Sequence, residues 1–104
     1  MALSLEILTG ARAGQVLVID SDKFLIGREA DCHFRSESNL VSRHHCVIKT
    51  DEFASRIRDL GTRNGTFVNG KQIQGEVVLA DGDNVLVGDT TLQVVLHADA
   101  GPPR

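Results

Sequence analysis

The residues best suited to hold an anion lie in four short segments, Gly27-Arg28, Ser42-Arg43-His44-His45, Gly61-Thr62-Arg63-Asn64-Gly65-Thr66 and Asn69-Gly70. Arg28, Arg43 and Arg63 offer guanidinium forks whose donors match a phosphate or carboxylate. Ser42 adds a short hydroxyl. Asn64 and Asn69 carry amides that both donate and accept, so either can pair with the main chain of an extended peptide. The glycines let the backbone turn tightly and present free N–H groups to the same ligand. Charge-assisted bonds of this kind contribute about 1.5–3 kcal/mol each.

Each residue also has a plainer role open to it. The arginines could be solvated surface charges, Ser42 a loop cap, and the two asparagines turn formers chosen for positive φ. Cys32, His33, His44, His45 and Cys46 are metal-ligating types. Adjacent strand residues point to opposite faces, so about half of them at most can meet at one ion, and no Cys-x-x-Cys spacing is present. No metal and no cofactor are expected. Ser42, His45 and Asp59 are the residue types of a hydrolytic triad, but there is no Gly-x-Ser-x-Gly elbow and Arg43 follows the serine directly. The expectation is a binding protein and not an enzyme.

The elements that must position these segments read as strands. Leu3, Leu5 and Ile7 alternate with Ser4 and Glu6, and the same period of two recurs at Phe24–Ile26, Cys32–Phe34, His45–Thr50, Phe53–Leu60, Val77–Leu79, Val85–Val87 and Leu92–Leu96. Val16-Leu17-Val18-Ile19 forms a further apolar run. Asn64-Gly65, Asn69-Gly70 and Asp81-Gly82 supply turns between them. No window sustains a helical period. Many short strands at close spacing predict an all-β sandwich or barrel.

A chain of 104 residues has room for one domain with a real core. Its net charge of −3 argues against a general nucleic-acid binder while leaving room for a local arginine cluster. There is neither a transmembrane-length apolar run nor a signal-peptide pattern at Met1–Glu6, so no membrane association is expected and the cytoplasm is the expected compartment. Cys32 and Cys46 fit there as reduced, partly buried thiols. Residues 97–104, polar and containing Gly101-Pro102-Pro103, read as a tail or linker, with the domain at residues 1–96 and the chain one module of a longer protein.

Five motifs in order, Gly27-Arg28, Ser42-Arg43-His44-His45, Asp59-Leu60-Gly61, Asn64-Gly65-Thr66 and Asn69-Gly70, together with the all-β pattern, closely resemble the forkhead-associated (FHA) domain over about Leu3 to Leu96. The resemblance implies an eleven-stranded, antiparallel-rich β-sandwich of the FHA/SMAD type with binding loops at one end. It implies a signalling module that docks phosphothreonine-containing proteins or peptides, in trans or within a longer parent chain. Arg28, Ser42 and Arg43 resemble the phosphate contacts and Asn64 the residue that holds the peptide backbone. Gly27, His45 and Gly65 resemble structural supports, His45 by fixing the serine loop. Asn69 resembles a loop brace that also reaches toward ligand. Arg63 stands where many members have Thr or Ser beside the phosphothreonine, and joins the binding set as an added charge. His33 and Ser36 also depart from the common pattern, at an edge away from the phosphate. The other reading of the same resemblance is a scaffold that binds an unphosphorylated partner through another surface.

Overall fold

A computed structural model describes residues 2–97, in which eleven strands and no helix form two facing sheets. In chain order the strands are β1 (Ala2–Ile7), β2 (Val16–Ile19), β3 (Lys23–Gly27), β4 (Phe34–Arg35), β5 (Cys46–Thr50), β6 (Ser55–Asp59), β7 (Thr66–Val68), β8 (Lys71–Gln72), β9 (Glu76–Val78), β10 (Asn84–Val87) and β11 (Thr90–His97). One sheet has the order β2-β1-β11-β10-β7-β8 and the other β4-β3-β5-β6-β9. Every pairing is antiparallel except β3 with β4. Met1 and residues 98–104, the body of the expected tail, lie outside the described residues.

The period of two decides which faces meet. Leu3, Leu5 and Ile7 of β1, with Val85, Val87, Leu92 and Val94 of β10 and β11, pack against Ile26, Ile48 and Ile57 of the opposite sheet. All are at most 1 % exposed. Each such side chain contributes roughly 1.5–3 kcal/mol by leaving water, so this layer dominates the favourable side of folding. The turn at Asn69-Gly70 joins β7 to β8 with both residues at positive φ, 52° and 83°, the left-handed pair that a two-residue hairpin of matching twist requires.

Two expected strands are shorter than their apolar runs. Of the Cys32–Phe34 run only Phe34 enters a strand, where it and Arg35 pair in parallel with Ile26 and Gly27. The run from Phe53 to Leu60 begins its strand at Ser55. Phe53 is instead 82 % exposed, because the Asp51 carboxylate accepts the N–H groups of Phe53 and Ala54 at 2.7 and 2.9 Å and bends them into a turn. The β3–β4, β4–β5 and β6–β7 loops come together at one end of the sandwich, joined by hydrogen bonds from Arg28 to Val41 and from Asn64 to Leu40.

Candidate functional site

The β4–β5 loop is built around one buried imidazole. His45 is 0 % exposed. Its Nδ1 accepts the Ser42 N–H at 3.0 Å, so the ring proton sits on Nε2, which donates to the Gly65 carbonyl at 2.9 Å. One side chain thus ties the serine loop to the asparagine loop from beneath. Beside it, the Arg28 N–H reaches the carbonyls of Ser42 and Arg43, both at 3.0 Å, and the His45 N–H reaches Ile26. Gly27 makes this approach possible: a Cβ there would collide with the Arg43 carbonyl oxygen and stand 2.8 Å from Cys32 Sγ.

The β6–β7 loop hangs on Asp59. Its carboxylate accepts the N–H groups of Gly61 and Thr62 and the hydroxyls of Thr62 and Thr66, at 2.7–3.1 Å. Thr62 Oγ1 in turn accepts the Gly65 N–H at 2.8 Å. Partial burial pushes the Asp59 pKa up, and the donors from Thr66, Thr62 and Gly61 more than offset it, so the carboxyl titrates below its ordinary value. The loop closes against its neighbour where Asn64 Nδ2 donates to the Leu40 carbonyl at 2.8 Å.

Between these loops lies a cleft of about 220 Å³ lined by Arg28, Ser42, Arg43, Arg63 and Asn64 together with Asn39, Leu40 and Val41. Arg28 Nε donates to the Val41 carbonyl at 3.0 Å, which fixes the direction of its guanidinium. None of the three arginines is in a salt bridge among the described residues, and no carboxylate lines the cleft. Larger clefts exist, one of about 690 Å³ on the outer face of β3, β5 and β6, but that one is lined by Asp59 as well as by cations. Concentrated guanidiniums without a carboxylate partner among the described residues, not volume, make the smaller one the candidate anion site.

Five of the six expected binding residues therefore converge. Asn69 does not line the cleft. Its Nδ2 donates to Asp83 and its Oδ1 accepts the Asn84 N–H, both at 2.9 Å, so its amide braces the β7–β8 hairpin onto β10. Gly65 sits under the loop at φ 83°, its carbonyl taken by His45. The triad types do not form a relay: both His45 nitrogens are spent on main-chain groups, and Asp59 serves threonines and amides. Of the five Cys and His residues, Cys46 is in the core, where burial pushes its thiol pKa far up, and His33 stacks on Phe24. Both cysteines are free thiols, and both are buried. Sequence reasoning missed the carbonyls of Leu40 and Val41 and the hydroxyls of Thr62 and Thr66. The signal for the threonines was Asp59 followed two and three residues later by Gly61 and Thr62, the spacing of an Asx turn.

The family model described as FHA domain matches residues 24–88. FHA domain-containing protein FhaA of Mycobacterium tuberculosis is 35 % identical over 85 residues, covering 82 % of this chain and 16 % of the relative. Glycogen accumulation regulator GarA of Mycolicibacterium smegmatis is 31 % identical, covering 81 % of this chain and 52 % of its own length. The chain thus spans about half or less of these relatives. Among solved structures, one from a study of phosphothreonine-dependent FHA domain interactions superposes with a TM-score of 0.85 at 32 % identity, covering 94 % of this chain and 99 % of the other. The FhaA FHA domain complexed with the intracellular domain of Rv3910 gives 0.80 at 33 % identity, over 88 % and 98 %. By sequence, by fold and by the order of its loops, this chain belongs to the FHA domain family.

Proposed function

We propose that this chain docks phosphothreonine-containing segments of partner proteins and catalyses no reaction. The observation that carries the reading is the cleft itself, where three guanidiniums with no salt-bridge partner among the described residues, the Ser42 hydroxyl and the Asn64 amide meet without a carboxylate in the lining. A phosphothreonine brings about −1.5 to −2 charge and three acceptor oxygens to such a site. Arg28, Ser42 and Arg43 hold the phosphate. Asn64 has its Nδ2 committed to Leu40, which leaves Oδ1 to accept a main-chain N–H of the peptide. Arg63 adds a third positive charge at the rim. The link of related FHA structures to phosphothreonine and phosphopeptide supports the same assignment. The partner is a separate protein or another segment of the parent chain, and the two free thiols fit a cytoplasmic setting.

The test is a calorimetric titration with the best sequence from an oriented phosphopeptide library, prepared with phosphothreonine, phosphoserine or unmodified threonine. The phosphothreonine form is expected to bind, and the unmodified form to show no heat. One methyl sheltered from water gives about 1 kcal/mol, hence a several-fold preference over phosphoserine. Equal affinities for the two phosphopeptides would remove the threonine preference and point to Arg63. Binding that ignores the phosphate would overturn the assignment in favour of a scaffold.

A further inference from the structure

We propose that Asp31, Cys32 and His44 form a binding site for a divalent cation of the zinc type, at the edge of the phosphate-binding loops. His44 Nε2 lies 3.0 and 3.1 Å from the two Asp31 carboxylate oxygens, and Cys32 Sγ lies 4.0 Å from Oδ1. One donor atom from each residue falls within 4.8 Å of the others. In a tetrahedral zinc site, bonds of about 2.0–2.3 Å put neighbouring donors about 3.3–3.7 Å apart. The present spacing, from 3.0 Å to at most 4.8 Å, brackets that figure, so rotation of the two exposed side chains, Asp31 and His44, seats an ion without a change of fold. A sulfur, an imidazole nitrogen and a carboxylate form the mixed set that favours zinc over magnesium or calcium. Three protein ligands leave one position open, which water fills.

The frame behind the ligands is firm. The Cys32 N–H is held by the Glu29 carbonyl at 3.1 Å, and Sγ packs 3.4 Å from the Arg43 carbonyl in the gap that Gly27 leaves. His44 sits between Arg43 and the buried His45. An exposed Asp–His pair alone, with side chains 67 % and 46 % exposed, contributes little to folding. The third donor, an almost buried thiol, is what turns that pair into a chelating set.

Binding would change both mechanics and charge. Asp31 and Cys32 belong to the β3–β4 loop and His44 to the β4–β5 loop, so the ion staples together the two loops that carry Arg28, Ser42 and Arg43. Zinc displaces the thiol proton to solvent. The cluster then passes from one net negative charge, on Asp31, to none, because the dication balances thiolate and carboxylate. That removes a negative charge from the neighbourhood of Arg43.

The experiment uses the reduced protein and Zn2+ alone, so it stands apart from the phosphopeptide reading. Calorimetry is expected to show one saturable site, and Co2+ substitution to show a thiolate-to-metal charge-transfer band with tetrahedral d–d absorption. C32S and H44A should each weaken Zn2+ binding by about a hundredfold or more, whereas H33A should leave it unchanged. Thermal melts of each variant confirm that the fold is retained. Absence of saturable Zn2+ binding by the native protein, absence of the thiolate band with Co2+, or binding that survives both C32S and H44A would overturn the proposal.

Discussion

Replacing His45 by alanine removes a side chain that no solvent touches and that two loops share. The Ser42 N–H and the Gly65 carbonyl lose their partners together. A buried polar group left unpaired costs about 1–3 kcal/mol, so two of them set a range of about 2–6 kcal/mol. Water entering the vacated space recovers part of this, which places the expected loss near 3 kcal/mol. For a domain of this size each kcal/mol lowers Tm by about 4–8 °C, giving a drop of about 12–24 °C against a total stability of about 5–15 kcal/mol. The chain has no Trp and no Tyr, so urea unfolding is best followed by far-ultraviolet circular dichroism, with calorimetry for Tm. Phosphopeptide binding should fall as well, since both cleft loops lose their anchor. A midpoint shift worth less than about 1 kcal/mol, at unchanged m, would show that the imidazole does not hold the loops.

Arg28→Ala should do the reverse. It breaks a single half-buried bond to Val41, at about 1 kcal/mol of stability, yet phosphopeptide affinity should fall on the order of a hundredfold; unchanged affinity would refute the role of Arg28. Gly27→Ala places a methyl against the Arg43 carbonyl and Cys32 Sγ, so stability should drop by about 1–3 kcal/mol with loss of binding, and a well-folded, binding-competent G27A would contradict the close approach. Asp59 titrates below its ordinary value in the folded state, so its contribution is fully present above the unfolded pKa and is lost as pH falls through the folded one. D59N should therefore be less stable at neutral pH and show a shallower acid limb in urea midpoints measured from pH 7 downward. The limb will not flatten fully, because Asp51, held low first by the Phe53 and Ala54 N–H groups, remains. Parallel acid limbs for D59N and the parent would count against the network.

The long alternating runs were legible because β1, β3, β10 and β11 each bury one face, and burial writes itself into the sequence every second residue. β7 and β8 have three and two residues, too few to display a period, and only the Asn69-Gly70 turn marks them. Phe53 looks like strand by its apolar side chain, but the Asp51 carboxylate claims its N–H and turns it out of the ladder. The parallel pairing of β3 with β4 is a tertiary event with no local signature. At the site, charged and amide side chains were visible by type and order. The Leu40 and Val41 carbonyls that aim Asn64 and Arg28 were not, because every residue carries a carbonyl and only the fold decides which one is offered. For Asn69 the bracing half of its expected role is visible only after folding, when Asp83 and Asn84 come within reach of its amide.

Apart from Arg28 and Asn64, which both line the cleft and tie its loops, the side chains that grip the loops and those that face the cleft are different residues. His45, Thr66 and Gly65 lie inside, while Arg43, Arg63 and Asn39 stand in solvent. A population of variants drifting at Asn39 and Arg63, with Arg43 kept, would hold the same melting behaviour while exploring new neighbours of a bound phosphate. The architecture separates heritable change in preference from change in solidity. A display library randomised at positions 39 and 63 on this frame, with Arg43 retained for the phosphate, would accordingly be dominated by folded members, each a candidate reader of a different phosphorylated sequence.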